Sequence, residues 1–256
     1  MSGLGLGLGL GLGAHRKVGA KDPGELPATF TIAAGFVNTG TKRINFSEPV
    51  TVTITGDVTL SISGTEYKSG DTIPKATGQY HTLIIDNPGA DAGTITFGKR
   101  KQITFLNFAS LVLPVITADI TGMDLIHLTI QVPGITGDIN GMDLTRLYLN
   151  NIGSSMTYGT NSFNITDTYG IHLIGDTMFS TAAEYVRLIH DAANGTWSGA
   201  YPFIITAGTN DNCPDWDDVK ADVAMLLERA AWTIIPSAWL TTGGGSWPVT
   251  WKEYTG

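Results

Sequence analysis

Residues 116–134 read ITADITGMDLIHLTIQVPG and residues 135–153 read ITGDINGMDLTRLYLNNIG; the two align without a gap over 19 positions, 10 of them identical. Self-similarity at a fixed period in adjacent segments marks a chain that builds its core by stacking copies of one unit. Each copy carries apolar residues spaced L-x-x-L-x-L: Leu125, Leu128 and Ile130 in the first, Leu144, Leu147 and Leu149 in the second. The last two alternate as a strand requires, and the leading Leu closes the turn into it. Looser copies flank the pair, with Ile103, Leu106 and Phe108 upstream, Ile171 and Leu173 downstream, and Phe203 and Ile205 beyond. About three units are needed for a stable stack, and terminal units are atypical. Residues 93–240 are therefore expected to form a short solenoid.

What lies on either side is different in kind. Residues 3–13 alternate Gly and Leu, so that Leu4, Leu6, Leu8, Leu10 and Leu12 would share one face of an extended strand. As a helix the same segment would pay about 1 kcal/mol at each Gly. The basic residues Arg16 and Lys17 follow the apolar run, the reverse of a secretory signal. Residues 1–27 are read as an extended anchor and linker. Residues 28–92 hold short Thr/Val/Ile runs punctuated by turn residues, which predicts a sandwich-like β module. Gly56-Asp57, between two alternating runs, predicts a hairpin. Downstream, Thr181 and Glu184 form a capping box for a helix running to about Ala193, with Asn194-Gly195 as a left-handed stop. A second helix is expected from near Asp215 to near Ala230, and a short strand over 232–235. Residues 241–256 read as a Gly/Trp tail. The fold class is thus mainly β: anchor, small β module, and a short repeat solenoid closed by two helices.

Composition removes several function classes. Net charge is −8 with a pI near 4.9, which argues against a nucleic-acid partner. No apolar run reaches the ~18–20 residues of a membrane-spanning helix, so no membrane insertion is expected. The single Cys213 excludes an internal disulfide framework. Charged residues are only 15% of the chain and Gly is 32 of 256, a balance that suits an extended structural protein.

Two resemblances follow. LIHLTI (125–130) and LTRLYL (144–149) resemble leucine-rich repeats. Where that family carries Asn or Cys, this chain has Pro133 and Ile152, and a 19-residue period leaves no room for a full helix on the outer side. Turns or extended chain are expected there. The wider layout of Gly/Leu start, Thr-rich β module, GDI-type repeats and helical close resembles fibre or appendage proteins of bacteriophages, particularly of Bacteroidetes hosts. That resemblance implies a virion localisation and attachment to other virion proteins through residues 3–13. It also implies a homo-oligomer, with a trimer as the expected form. A bacterial cell-surface adhesin or scaffold is the alternative, and a polysaccharide-degrading appendage enzyme a further one.

Catalytic and metal motifs are weak, so no enzyme, metal or cofactor is expected. The five histidines, at 15, 81, 127, 172 and 190, form no H-x-x-x-H or H-E-x-x-H pair. The repeated carboxylates Asp119/Asp138 and Asp124/Asp143 would sit on neighbouring coils and are read as turn residues bonding their own backbone. The acidic cluster Asp211, Asp215, Asp217 and Asp218 lacks an EF-hand pattern and is read as a helix start. Ser47, Ser110 and Ser180 have no G-x-S-x-G context. What remains is surface. Alternation directs His127, Thr129 and Gln131, then Arg146, Tyr148 and Asn150, then His172, away from the core. This mixed aromatic and hydrogen-bonding face is the candidate site for a host-surface glycan or protein, with both histidines expected to be solvated.

Overall fold

The structure is a computed structural model that describes residues 22–109, 116–131, 133–150, 156–175, 179–206, 212–230 and 233–234. The anchor leucines 4, 6, 8, 10 and 12 and the tail 241–256 lie outside the described residues.

The protein is mainly β. The N-terminal strands are β1 (Pro27–Ile32), β2 (Thr41–Phe46), β3 (Val50–Thr55), β4 (Thr59–Ile62), β5 (Thr65–Tyr67), β6 (Thr72–Ile73) and β7 (His81–Asp86). Next come β8 (Gly93–Lys99), β9 (Ile103–Ala109), β10 (Ile116–Asp119), β11 (His127–Ile130), β12 (Ile135–Ile139), β13 (Asp143–Leu144) and β14 (Arg146–Asn150). The chain closes with β15 (Met156–Tyr158), β16 (Ser162–Ile165), β17 (Ile171–Ile174), α1 (Ala182–Asn194), β18 (Thr196–Trp197), β19 (Phe203–Ile205), α2 (Trp216–Arg229) and β20 (Thr233–Ile234).

Two large sheets enclose one apolar core. One runs β15-β12-β10-β1-β8-β3-β6 and the other β20-β19-β17-β14-β11-β9-β2-β7-β4-β5; a small third sheet is β13-β16-β18. Phe30 on β1 meets Phe108 on β9 with ring centroids 5.4 Å apart, and Phe46 on β2 meets Phe97 on β8 at 5.6 Å, so aromatic contacts bridge the two sheets. Both sheets are mixed. Their N-terminal halves are antiparallel, and they turn parallel at β9, which pairs antiparallel with β2 and parallel with β11. β10 does the same between β1 and β12.

The repeat is visible in the ladders. His127 pairs with Arg146, Gly137 with Met156 and Asp143 with Ser162, three ladders each with a 19-residue step. Leu128, Leu147, Leu149 and Leu173 are fully buried beneath them. The outer side of the repeat is strand (β10 and β12) and not helix. A leucine-rich-repeat solenoid over 93–240 is not shown as such. The parallel strands continue sheets begun by β1, β2 and β3, because β8 and β9 hydrogen-bond back to those strands.

Two local expectations are corrected. Gly56-Asp57 does not close a hairpin: β3 pairs with β8 and β6, whereas β4 pairs with β5 and β7 in the other sheet. Gly56, at φ +72°, turns the chain from one sheet to the other. Gly195 ends α1 without a left-handed residue, at φ −67°. A Cβ there would lie 2.8 Å from both Cβ and the carbonyl oxygen of Phe163, so close approach of backbone to β16 demands the glycine. Thr181 and Glu184 form the expected capping box, and the Asp215 side chain caps α2 by accepting from Asp217 N–H. Among the described residues no helix is long and apolar enough to cross a membrane.

Candidate functional site

The outer face of the ten-stranded sheet is assembled by register. β2, β9, β11 and β14 align Asn45, Phe105, His127 and Arg146 in one row. The next row holds Arg43, Asn107, Thr129 and Tyr148, and continues to His172 on β17. Asn150 pairs with Ile174, and Gln131 follows β11 in the same outward alternation. The seven residues expected from sequence thus lie on one continuous surface of β11, β14 and β17. All seven point away from a core filled by the intervening Leu and Ile residues.

Side chains stack along this surface. The Phe105 and His127 rings are 4.0 Å apart and nearly parallel at 14°. Tyr80 packs on Phe105 at 5.3 Å, and the Arg43 guanidinium lies 4.3 Å over the Tyr80 ring. At the other end the Arg146 guanidinium sits 4.0 Å over Tyr169 and 5.4 Å over Tyr148, and Tyr148 packs against His172 at 5.1 Å. Between these stacks is a cavity of about 230 Å³, open on one side, lined by Arg43, Asn107, Thr129, Arg146, Tyr148 and Tyr169, with Thr41, Ala109 and Gln131 at its margin.

The stacking changes the state of the histidines. His127 is 5% exposed and His172 half-buried, so neither is the solvated residue expected from alternation alone; rings on neighbouring strands cover what an isolated strand would leave open. Burial, then the positive charge of Arg146, lowers His127 to about 4, with Asp167 opposing and Arg43 adding to the shift. Burial and Arg146 likewise bring His172 to about 4 against the pull of Asp167. Both imidazoles are neutral at physiological pH. Arg146 Nη1 donates to Asp167 Oδ1 at 3.4 Å, and the same oxygen accepts from Tyr169 N–H at 2.9 Å.

Hydrogen bonding is incomplete here. Among the described residues, the buried side-chain atoms without a partner are Arg43 Nε, Asn107 Oδ1, His127 Nδ1, Arg146 Nε, Asn150 Oδ1 and His172 Nε2. Every one belongs to an outward position of this face. A buried polar group left unpaired costs about 1–3 kcal/mol, and native proteins tolerate few. Three of the six, on Arg43, Asn107 and Arg146, line the cavity, and the other three lie on the same face outside it.

Sequence reasoning missed Arg43, Tyr80, Asp167 and Tyr169. Arg43 enters through the long-range pairing of β2 with β9, which no local pattern announces. Asp167 and Tyr169 come from the turn before β17, outside any strand alternation. Of the repeated carboxylates, Asp119 and Asp138 are engaged with other partners. Asp119 lies opposite Thr136, accepts from Thr121 N–H at 2.9 Å and pairs with Arg100 at 2.8 Å, while Asp138 accepts from Thr157 Oγ1. Asp143 faces Ser162 across its ladder. Among the described residues no group of three or more His, Cys, Asp or Glu is arranged to hold a metal ion. Comparison of the chain with protein-family models, with curated proteins and with solved structures gave no match.

Proposed function

We propose that this protein is a non-enzymatic structural component of a virus particle. It acts as a fibre or appendage subunit attached through residues 3–13, and it presents the outer face of the ten-stranded sheet to a host surface. In this reading the parallel half is a short solenoid, copies associate as a trimer, and weak contacts from each copy combine through effective concentration.

The observation that carries the binding role is the trough itself, whose wall holds three buried polar atoms without partners, Arg43 Nε, Asn107 Oδ1 and Arg146 Nε, beside stacked tyrosine rings. Its described lining holds no carboxylate, whereas glycoside hydrolysis requires two, about 5–9.5 Å apart. That favours recognition over cleavage. The Gly/Leu alternation supports attachment, since an exposed row of leucines gains by burial against a partner strand.

Two measurements test the reading. Fluorescently labelled protein is expected to decorate cells of a susceptible Bacteroidetes strain, and the Tyr148→Ala/Tyr169→Ala variant to lose at least tenfold in binding with unchanged circular dichroism. Absence of decoration across a strain panel overturns surface display. Removing residues 3–13 is expected to abolish incorporation into particles; normal occupancy of the truncated chain overturns attachment through that segment.

A further inference from the structure

The trough is cationic in an acidic protein. The chain carries a net charge of −8, yet this face concentrates Arg43 and Arg146, and Asp167, hydrogen-bonded at 3.4 Å, is the carboxylate paired with Arg146 there. Each guanidinium is laid flat on a tyrosine ring, Arg43 on Tyr80 and Arg146 on Tyr169. Stacking fixes the plane of the group and leaves its in-plane N–H edge to bond. In both residues the Nε is buried and unpartnered. Arg146 is 9% exposed and Asn107 7% exposed, and both line the cavity.

The remaining groups narrow the ligand. Asn107 Oδ1, in the cavity wall, is an orphan acceptor and needs a donor. A phosphomonoester dianion offers none, and inorganic phosphate at neutral pH at most one or two. A saccharide hydroxyl both donates and accepts. Tyr148 is half-buried and lies in the cavity wall, a ring surface suited to the apolar C–H side of a sugar. Fixed guanidinium edges suit a planar carboxylate bound in a two-point fashion. Arg43 and Tyr148 are separated by three interstrand steps, about 14 Å at ~4.8 Å each, which is long enough for a short oligosaccharide.

We infer that the trough binds a carboxylate-bearing saccharide of the host surface, with Arg43 and Arg146 at its two ends each presenting a fixed guanidinium edge to an acid group, Asn107 accepting a hydroxyl proton, and Tyr148 packing on the ring. This rests on the surface-binding reading above and names its ligand class.

The test is an array of glucuronate-, galacturonate-, mannuronate- and sialate-bearing oligosaccharides, each beside its carboxyl-reduced counterpart, probed with the full chain alongside an acidic peptide and inorganic phosphate. At least one acidic glycan is expected to bind. Carboxyl reduction, Arg146→Gln and Arg43→Gln are each expected to weaken binding tenfold or more, with a shallower dependence on salt. Arg43 is only half-buried, so its variant keeps the test decisive if Arg146→Gln fails to fold. Equal binding of reduced glycans, tighter binding of the peptide or phosphate, or silence of every acidic glycan overturns the inference. If the chain still decorates cells in those cases, surface display stands and only the ligand class falls; if it decorates none, the broader reading falls with it.

Discussion

His127 and His172 make the face sensitive to acid. Both take up a proton near 6.5 when unfolded but only at about 4 when folded. Between those values the unfolded chain holds more protons, so stability is complete above about pH 6.5 and declines as pH falls toward 4. A tenfold difference in proton affinity between the two states is worth about 1.4 kcal/mol. Urea unfolding at pH 7.5, 5.5 and 4.5 is expected to give a falling free energy, and His127→Gln to shrink the difference between the first and last values. Identical pH dependence in that variant would remove His127 as a source. Strand alternation suffices to place His127, Arg146 and Tyr148 on one face, because a parallel ladder between equivalent positions of two repeats fixes its own register. It does not suffice for burial. The stack of Phe105 on His127 and of Arg146 on Tyr169 depends on side chains from other strands and a turn, and no single-strand pattern encodes how they cover one another.

At the scale of elements, the ends of α1 are set by different physics. Its start is local: Thr181 N–H donates to Glu184 Oε2 at 3.0 Å, and Glu184 N–H donates to Thr181 Oγ1. Burial works to raise Glu184, but hydrogen bonds from Tyr158 N–H, Thr181 and Ser180 win and hold its carboxyl below the usual range. Thr181→Ala is expected to lower stability by about 1 kcal/mol, with Thr181→Ser restoring most of it, as read from thermal or chemical unfolding. Its end is set by a neighbour. Gly195→Ala would push a methyl into the backbone of Phe163 and is expected to cost about 1–3 kcal/mol although φ there is unstrained. The same contrast governs what could be read beforehand. The capping box is legible because all its parts lie within four residues. The hairpin predicted at Gly56-Asp57 fails because a turn within a sheet and a turn between sheets use the same glycine and the same alternation. Only the distant partners, β8 for β3 and β7 for β4, decide between them.

For the whole molecule, the important feature is that both large sheets cross from antiparallel to parallel without a break. β1 draws both its partners, and β2 and β3 one each, from residues beyond 92. A fragment of residues 22–92 is therefore expected to stay unfolded, with collapsed amide dispersion in a proton–nitrogen NMR spectrum, while the full chain unfolds in one transition by both fluorescence and circular dichroism. A well-dispersed fragment spectrum would show that the two halves fold independently. The 19-residue repeat was readable from self-similarity; the sharing of sheets was not, since it is a matter of which strand edges meet.

The common 19-residue step of three ladders gives this design a way to vary. Tandem duplication of residues 135–153 would add one rung to each of these three ladders and extend the outer sheet face by a single interstrand spacing. The chemistry at each rung would be unchanged. The length of that face could then be adjusted by copying a segment, which leaves the junction at β9 and the helical close as they are.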